Sequence, residues 1–90
     1  MSLMLSGASP VAVTLVKWTP PEAIEIEAPV SHPPGARLAM TLTLGDATHE
    51  VRMKVHGCRK VGDATFRISG RTMDLRKTAR EALDAVAPSA

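Results

Sequence analysis

The chain has 90 residues, enough for one domain with a modest core, and its formal net charge is +2. No apolar run approaches the ~20 residues of a membrane span, so we expect no membrane insertion. One Trp, one Phe and no Tyr argue against nucleic-acid binding, because single-stranded nucleic acid stacks on aromatic side chains. Cys58 is the single cysteine, so no intrachain disulfide can form, which fits a reducing, cytoplasmic location.

The two ends of the chain are expected to lie outside the folded domain. The opening segment is fairly apolar, but it lacks a basic start and contains Gly7 and Pro10, so a signal peptide is not expected. We interpret residues 1–10 as an N-terminal tail, 11–87 as one domain and 88–90 as a C-terminal tail.

Two short strands are predicted at the start of the domain. Residues 11–17 are rich in β-branched side chains, which is typical of a strand. Pro20 and Pro21 end this segment, because proline lacks the donor of a ladder hydrogen bond. Over 24–28, apolar residues alternate with two glutamates, which predicts a strand with one buried face, and 31–35 form a loop.

The clearest alternation lies in the middle of the chain. Apolar residues occupy every second position over 38–44 and again over 51–55, with a turn over 45–48 between the two runs. This pattern predicts an antiparallel hairpin. Gly57 then indicates a bulge or a bend, after which the second strand continues.

A last strand and a helix complete the domain. The strand is expected to end at Gly70, and apolar residues at helical spacing then predict an amphipathic helix over 74–86. Thr72 or Asp74 can cap its start. About five antiparallel strands followed by one helix make the fold class mainly β, of the α+β type, as a small barrel or sandwich.

Five segments, taken in order, match the pattern of one known family. These are Ala-Ile-Glu-Ile-Glu-Ala-Pro at 23–29, Pro-Pro-Gly-Ala-Arg-Leu at 33–38, Lys-Val-His-Gly-Cys-Arg at 54–59, Phe-Arg-Ile at 66–68, and the helix from Asp74. On these segments the chain resembles a PilZ domain from residue 11 to residue 86. The resemblance implies a six-stranded antiparallel barrel with a helix across its mouth.

The motifs that hold the family's usual ligand, cyclic di-GMP, are missing. One is an Arg-x-x-x-Arg pair, but this chain has no arginine before Arg37. The other, Asp/Asn-x-Ser-x-x-Gly, would fall on 18–23, where Trp18, Pro20 and Ala23 replace the acid, the serine and the glycine. The resemblance therefore implies a role in cyclic di-GMP-related signalling, such as motility, pilus or surface behaviour. It argues against binding cyclic di-GMP in the family manner.

The first functional hypothesis is a non-enzymatic protein-interaction module. It would dock an unidentified protein partner through Trp18, Pro20 and Pro21, or through an exposed sheet edge, and such an edge can also pair two copies into a homodimer. Trp18 has two interpretations. It is either an exposed anchor, since Trp is common at binding hot spots, or a plug that packs under the helix at the barrel end.

The alternative is a receptor for cyclic di-GMP or another phosphate ligand, in which Arg37, Arg52 and Arg67 replace the missing motif. This requires the three arginines to converge on one concave surface. A wider group of basic residues either forms a continuous cationic patch or is a solvated face whose charges pair with glutamates on neighbouring strands. These are Arg52, Lys54, His56, Arg67, Arg71, Arg76, Lys77 and Arg80.

No catalytic residue, metal site or cofactor is predicted. His56 and Cys58 place two metal-ligating types close together, but a zinc site needs about four ligands. His32 and His49 are the other candidates, and their spacing supports no site. We interpret Cys58 as a half-buried structural thiol rather than a nucleophile.

Overall fold

In the computed structural model, six antiparallel strands close into a barrel and one helix follows them. The structure describes residues 2–6 and 10–86. The order around the barrel is β1-β2-β3-β6-β5-β4. This confirms the predicted mainly-β barrel with a C-terminal helix. The elements are β1 (Ser2–Leu5), β2 (Val11–Thr19), β3 (Ala23–Ala28), β4 (Arg37–Leu44), β5 (Ala47–Lys60), β6 (Phe66–Met73) and α1 (Lys77–Val86).

Apolar side chains fill the interior of the barrel. Successive residues of a strand point to opposite faces, so the alternation predicted over 24–28, 38–44 and 51–55 sends one apolar set inward. The largest fully buried side chains come from β3, β4, β5, β6 and α1, and they are Ile24, Ile26, Met40, Leu42, Val51, Met53, Val55, Ile68 and Leu83. The interior of a barrel this small is filled by side chains and is not a pore, so a partner must bind to the outer surface.

The predicted hairpin is confirmed as β4 and β5. All eight residues of β4 pair with β5, from Leu44 opposite Ala47 back to Arg37 opposite Lys54. Gly45 occupies the first central position of the two-residue turn with a φ of 61°. Glycine adopts this left-handed conformation without a steric penalty, and positive φ at the first central position is the pattern of a type II′ hairpin turn.

Two bulges change which side chains point inward. In β2 the register shifts between Leu15 and Lys17, so that Leu15 and Trp18 are both buried although they are three residues apart. In β5 the register shifts between Val55 and Gly57, which confirms the bulge predicted there. A bulge inserts one unpaired residue and so reverses the alternation that follows it.

The structure corrects the prediction at the N-terminus. The tail expected over 1–10 is wrong for Ser2–Leu5, which form β1 and pair with both β2 and β4. Leu3 and Leu5 are buried, so this strand closes the barrel. Four residues are too few for their alternation to stand out in the sequence. The C-terminal tail expected over 88–90 lies outside the described residues.

The junction between β6 and α1 also differs from the prediction. The strand does not end at Gly70 but continues through buried Thr72, whose backbone N–H donates to the carbonyl of Glu22 at 2.8 Å. Asp74 then turns the chain in the left-handed region, with a φ of 50°. The helix begins at Lys77, so neither Thr72 nor Asp74 caps it.

Gly70 is required for a close approach between strands rather than for a turn. A Cβ atom built there would lie 2.1 Å from the backbone oxygen of Lys54 and 2.9 Å from Met53 Cε. A backbone oxygen cannot move aside as a flexible side chain can. Any larger residue at this position must therefore separate β5 from β6.

We expect Gly70→Ala to lower the free energy of unfolding by about 2–3 kcal/mol, because added volume in a packed site forces backbone shifts. Urea unfolding followed by circular dichroism measures this change. Gly57→Ala is the matched control, since its Cβ would touch only Ser69 Oγ, at 3.4 Å. Equal unfolding midpoints for the two variants would contradict the requirement at position 70.

Candidate functional site

A row of three cations crosses the outer face of the barrel. On β4, Arg37 lies opposite Lys54 of β5, and Lys54 lies opposite Arg71 of β6. All three point outward because their neighbours along the strands, such as Leu38 and Met53, are buried. Adjacent strands are about 4.8 Å apart, so the row places three positive side chains within about 10 Å.

Two of the three arginines proposed as substitute ligand residues meet beside this row. Arg37 and Arg52 line one depression of about 370 Å³, together with Ala39, Met73 and Asp74. A second depression of about 160 Å³ continues from Arg52 past Asp74 to Arg76 and Glu50. We call the continuous feature the cationic groove, and its residues are Arg37, Ala39, Glu50, Arg52, Met73, Asp74 and Arg76.

The backbone at Asp74 brings Arg76 into this groove. Asp74 has positive φ, which bends the chain sharply as it leaves β6 and directs the next residues back along the barrel surface. The sequence pattern placed Asp74 at the start of the helix, as its first residue or its cap, and so missed its part in the groove wall. An aspartate is among the few non-glycine residues that tolerate the left-handed region, and that tolerance is the only sequence signal available.

Together, the groove and the adjoining row carry five cations and two carboxylates, Glu50 and Asp74. Arg52 Nε lies 2.5 Å from Glu50 Oε1, and Arg71 Nη1 lies 3.9 Å from Glu22 Oε1. All four side chains are more than half exposed, and ion pairs this exposed contribute about 0–1 kcal/mol and exchange readily with other anions. Within the part of the chain that the structure describes, Arg37, Lys54 and Arg76 form no salt bridge.

Arg67 does not join the other two arginines. Its guanidinium donates to Glu27 Oε2 from Nη2 at 2.6 Å and from Nε at 3.2 Å, across the β3–β6 pairing. Arg52 lies opposite Met73, six residues along β6, which is about 20 Å away at ~3.3 Å per residue. Only Arg37 and Arg52 of the proposed set therefore converge on one concave surface. Arg67 instead matches the interpretation of a basic residue neutralised by a cross-strand glutamate.

Trp18 plugs the barrel end under the helix. The side chain is 7% exposed, and its indole Nε1–H donates to Asp84 Oδ1 of α1 at 2.6 Å. The interpretation as an exposed anchor is therefore wrong for Trp18, because the bulge in β2 turns the residue inward. Pro20 and Pro21 are exposed beside it and are joined by a cis peptide bond.

His56 and Cys58 differ in their surroundings. Cys58 is half-buried and packs against the core, whereas His56 is exposed at the bulge of β5. Among residues 2–6 and 10–86, no three His, Cys, Asp or Glu side chains are close enough to share a metal ion. No helix in the described part of the chain has the length and hydrophobicity of a membrane span.

No protein family, curated protein or solved structure matches the chain. The resemblance to PilZ domains therefore stays a prediction, while the barrel and helix that it implied are confirmed.

We expect Asp84→Ala to lower the free energy of unfolding by about 1–2 kcal/mol, because the indole N–H of Trp18 loses a charged acceptor. The substitution also removes a carboxylate whose interaction with the helix dipole near the C-terminus is unfavourable, and this reduces the loss of stability somewhat. Urea unfolding gives the free energy, and a red shift in the emission of the single Trp reports its hydration. Glu81→Ala on the same helix is the control. Coinciding unfolding curves for the two variants would rule out a contribution from this bond.

Proposed function

We propose that this chain is a non-enzymatic, PilZ-like protein-interaction module that acts in cyclic di-GMP-related signalling, such as motility, pilus or surface behaviour. Two features support this. The barrel and helix have the architecture that the resemblance implies. The positions of the family's ligand motif hold Trp18, Pro20 and Ala23, and the indole of Trp18 is already engaged by Asp84 of the helix.

The cationic groove is the observation that carries the proposal. Arg37, Arg52 and Arg76 line it, and Lys54 and Arg71 adjoin it, so a partner would meet five cations against the two groove carboxylates, Glu50 and Asp74. Guanidinium groups hold carboxylates and phosphates through paired N–H donors, and they keep their charge at any physiological pH. The partner surface that fits best is an acidic segment of another protein, which can displace the weak, exposed contact of Glu50 on Arg52.

A second candidate function is binding of a phosphate ligand such as cyclic di-GMP in the same groove. The depression that Arg37 and Arg52 share, about 370 Å³, favours it because small-molecule sites occupy about 300–1,000 Å³. In this case the two arginines would hold phosphate oxygens. Arg67 would take no part, since it is paired with Glu27.

The two candidates are separated by titrating the full chain with cyclic di-GMP and with a ten-residue polyglutamate peptide at moderate salt. We expect the peptide to shift the backbone amide signals of the groove residues in ¹⁵N-correlation spectra, and to bind more weakly as salt rises. We expect no calorimetric heat with cyclic di-GMP at concentrations that reveal micromolar affinity. Saturable cyclic di-GMP binding at these residues would establish the second candidate, and no groove response to either probe would overturn both.

Single substitutions assign the binding to named side chains. Arg37→Ala and Arg52→Ala should each weaken peptide binding about tenfold, since a charged hydrogen bond contributes about 1.5–3 kcal/mol and 1.4 kcal/mol is a factor of ten. Arg80→Ala removes the same charge from an exposed position on α1 outside the groove, and it should change affinity less than about twofold. Equal losses for all three variants would mean that only net charge matters.

A further inference from the structure

The barrel end opposite α1 carries exposed apolar side chains. Among the described residues, the large hydrophobic side chains that are exposed are Val30, at 38%, and Val61, at 42%. Val30 follows the end of β3 and Val61 follows the end of β5, and these two strands end at the same mouth of the barrel. We call this end the helix-free mouth, because α1 packs at the other end, beside Trp18.

A proline-containing loop crosses the helix-free mouth. Residues 29–36 lead from β3 to β4, and the loop passes over β6 and β5, because it lines a depression with Phe66 and Cys58 and bonds to Val55. Between the loop and the β5–β6 pair lies a depression of about 310 Å³. We call it the mouth depression. Its lining is residues 31–34 of the loop together with Cys58, Lys60 and Phe66.

The lining of the mouth depression suits an apolar side chain. Most of its wall is proline, aromatic ring and thiol. Phe66 is half-buried here rather than enclosed in the core. An aromatic ring held in this way offers a rigid apolar contact, which is the type of residue enriched at binding surfaces.

His32 adds a polar group that lacks a partner. Its Nε2 atom is buried, and it has no hydrogen-bond partner among the described residues. Buried polar atoms in folded proteins are almost always hydrogen-bonded, so an exception needs an explanation. His32 lines the mouth depression, so the imidazole is part of the wall that a bound segment would contact.

The charges around the mouth indicate which segment fits. Arg59 and Lys60 are exposed at the end of β5, and neither forms a salt bridge within the described ranges. Arg59 also lies opposite Arg67, so Glu27 neutralises only one of two adjacent arginines. Asp63 is the single acid in the following turn. A second copy of this chain would set cations against cations, whereas an acidic segment complements them.

The end of β5 favours an extended conformation for that segment. Over 57–60, β5 pairs with β6 on one side, and no strand of the described residues pairs with its other side. The pairing of β5 with β4 stops at Lys54, and the loop before β4 makes backbone hydrogen bonds to β5 only at Val55. An open edge of this kind accepts an added strand, while a neighbouring pocket selects a side chain.

We propose that the helix-free mouth binds an extended acidic peptide segment of a partner protein, which places one apolar side chain in the mouth depression. The carboxylates of the segment would face Arg59 and Lys60. This surface is separate from the cationic groove and does not rest on the function proposed for that groove.

The test uses the full chain and three blocked five-residue peptides, Glu-Glu-Leu-Glu-Glu, Glu-Glu-Ser-Glu-Glu and Lys-Lys-Leu-Lys-Lys, in ¹⁵N-correlation titrations. We expect the first peptide to shift the amide signals of His32, Cys58, Lys60 and Phe66, and to bind there at least fivefold more tightly than the other two. Equal binding of the serine peptide at these residues, or no response there, would overturn the proposal. Responses in the cationic groove are read from different amides, so the two proposals fail independently.

Two charge-reversal variants check the location. Lys60→Glu should weaken binding of the leucine peptide at the mouth at least fivefold, while Lys77→Glu, at the opposite end of the barrel, should leave mouth binding unchanged. Both residues are exposed, so each variant should keep the wild-type spectrum elsewhere. Mouth signals that shift with protein concentration in the absence of peptide would instead indicate that two copies meet there, which would overturn the acidic-segment proposal.

Discussion

Closure of the sheet is the constraint on which the rest of this structure depends. Once β1 joins β2 to β4, every strand residue lies either inside or outside, and the inside is filled by apolar side chains. The charged residues therefore all lie on the outer surface, and the strand register determines which of them are neighbours. One part of β6 carries Arg67 bound to Glu27, and another carries Arg71 in a row with Lys54 and Arg37.

Departures from regular strand geometry create the distinctive features of this barrel. The bulge in β2 turns Trp18 inward, where Asp84 of α1 accepts its N–H, so one extra residue links the sheet to the helix. The close approach of β6 to β5 at Gly70 and the left-handed backbone at Asp74 then determine how the chain leaves the sheet. The groove and the helix position follow from these local irregularities together.

Strands with period-two alternation could be predicted from the sequence, and irregular segments could not. The patterns around Ile26, Met40 and Met53 are long enough to identify both strand and buried face. The four residues of β1 are too short to separate from chance, and no residue type marks the bulge at Val16. The outward direction of Arg37 and Arg52 followed from alternation, whereas their convergence depends on cross-strand register. That register also pairs Arg67 with Glu27, which separates it from them.

The strand order has a consequence for how the chain folds. The β4–β5 hairpin joins residues close in sequence, so it can form within microseconds, about 1–10 μs for an isolated hairpin. Closure is different, because Leu5 pairs with Met40, and Ala28 pairs with Phe66. Loop-closure entropy must be overcome before such distant pairs form, which slows folding in proteins dominated by non-local contacts. The hairpin is therefore suited to act as the nucleus, and β1, which can pair with β2 before then, closes the barrel only after β4 is available.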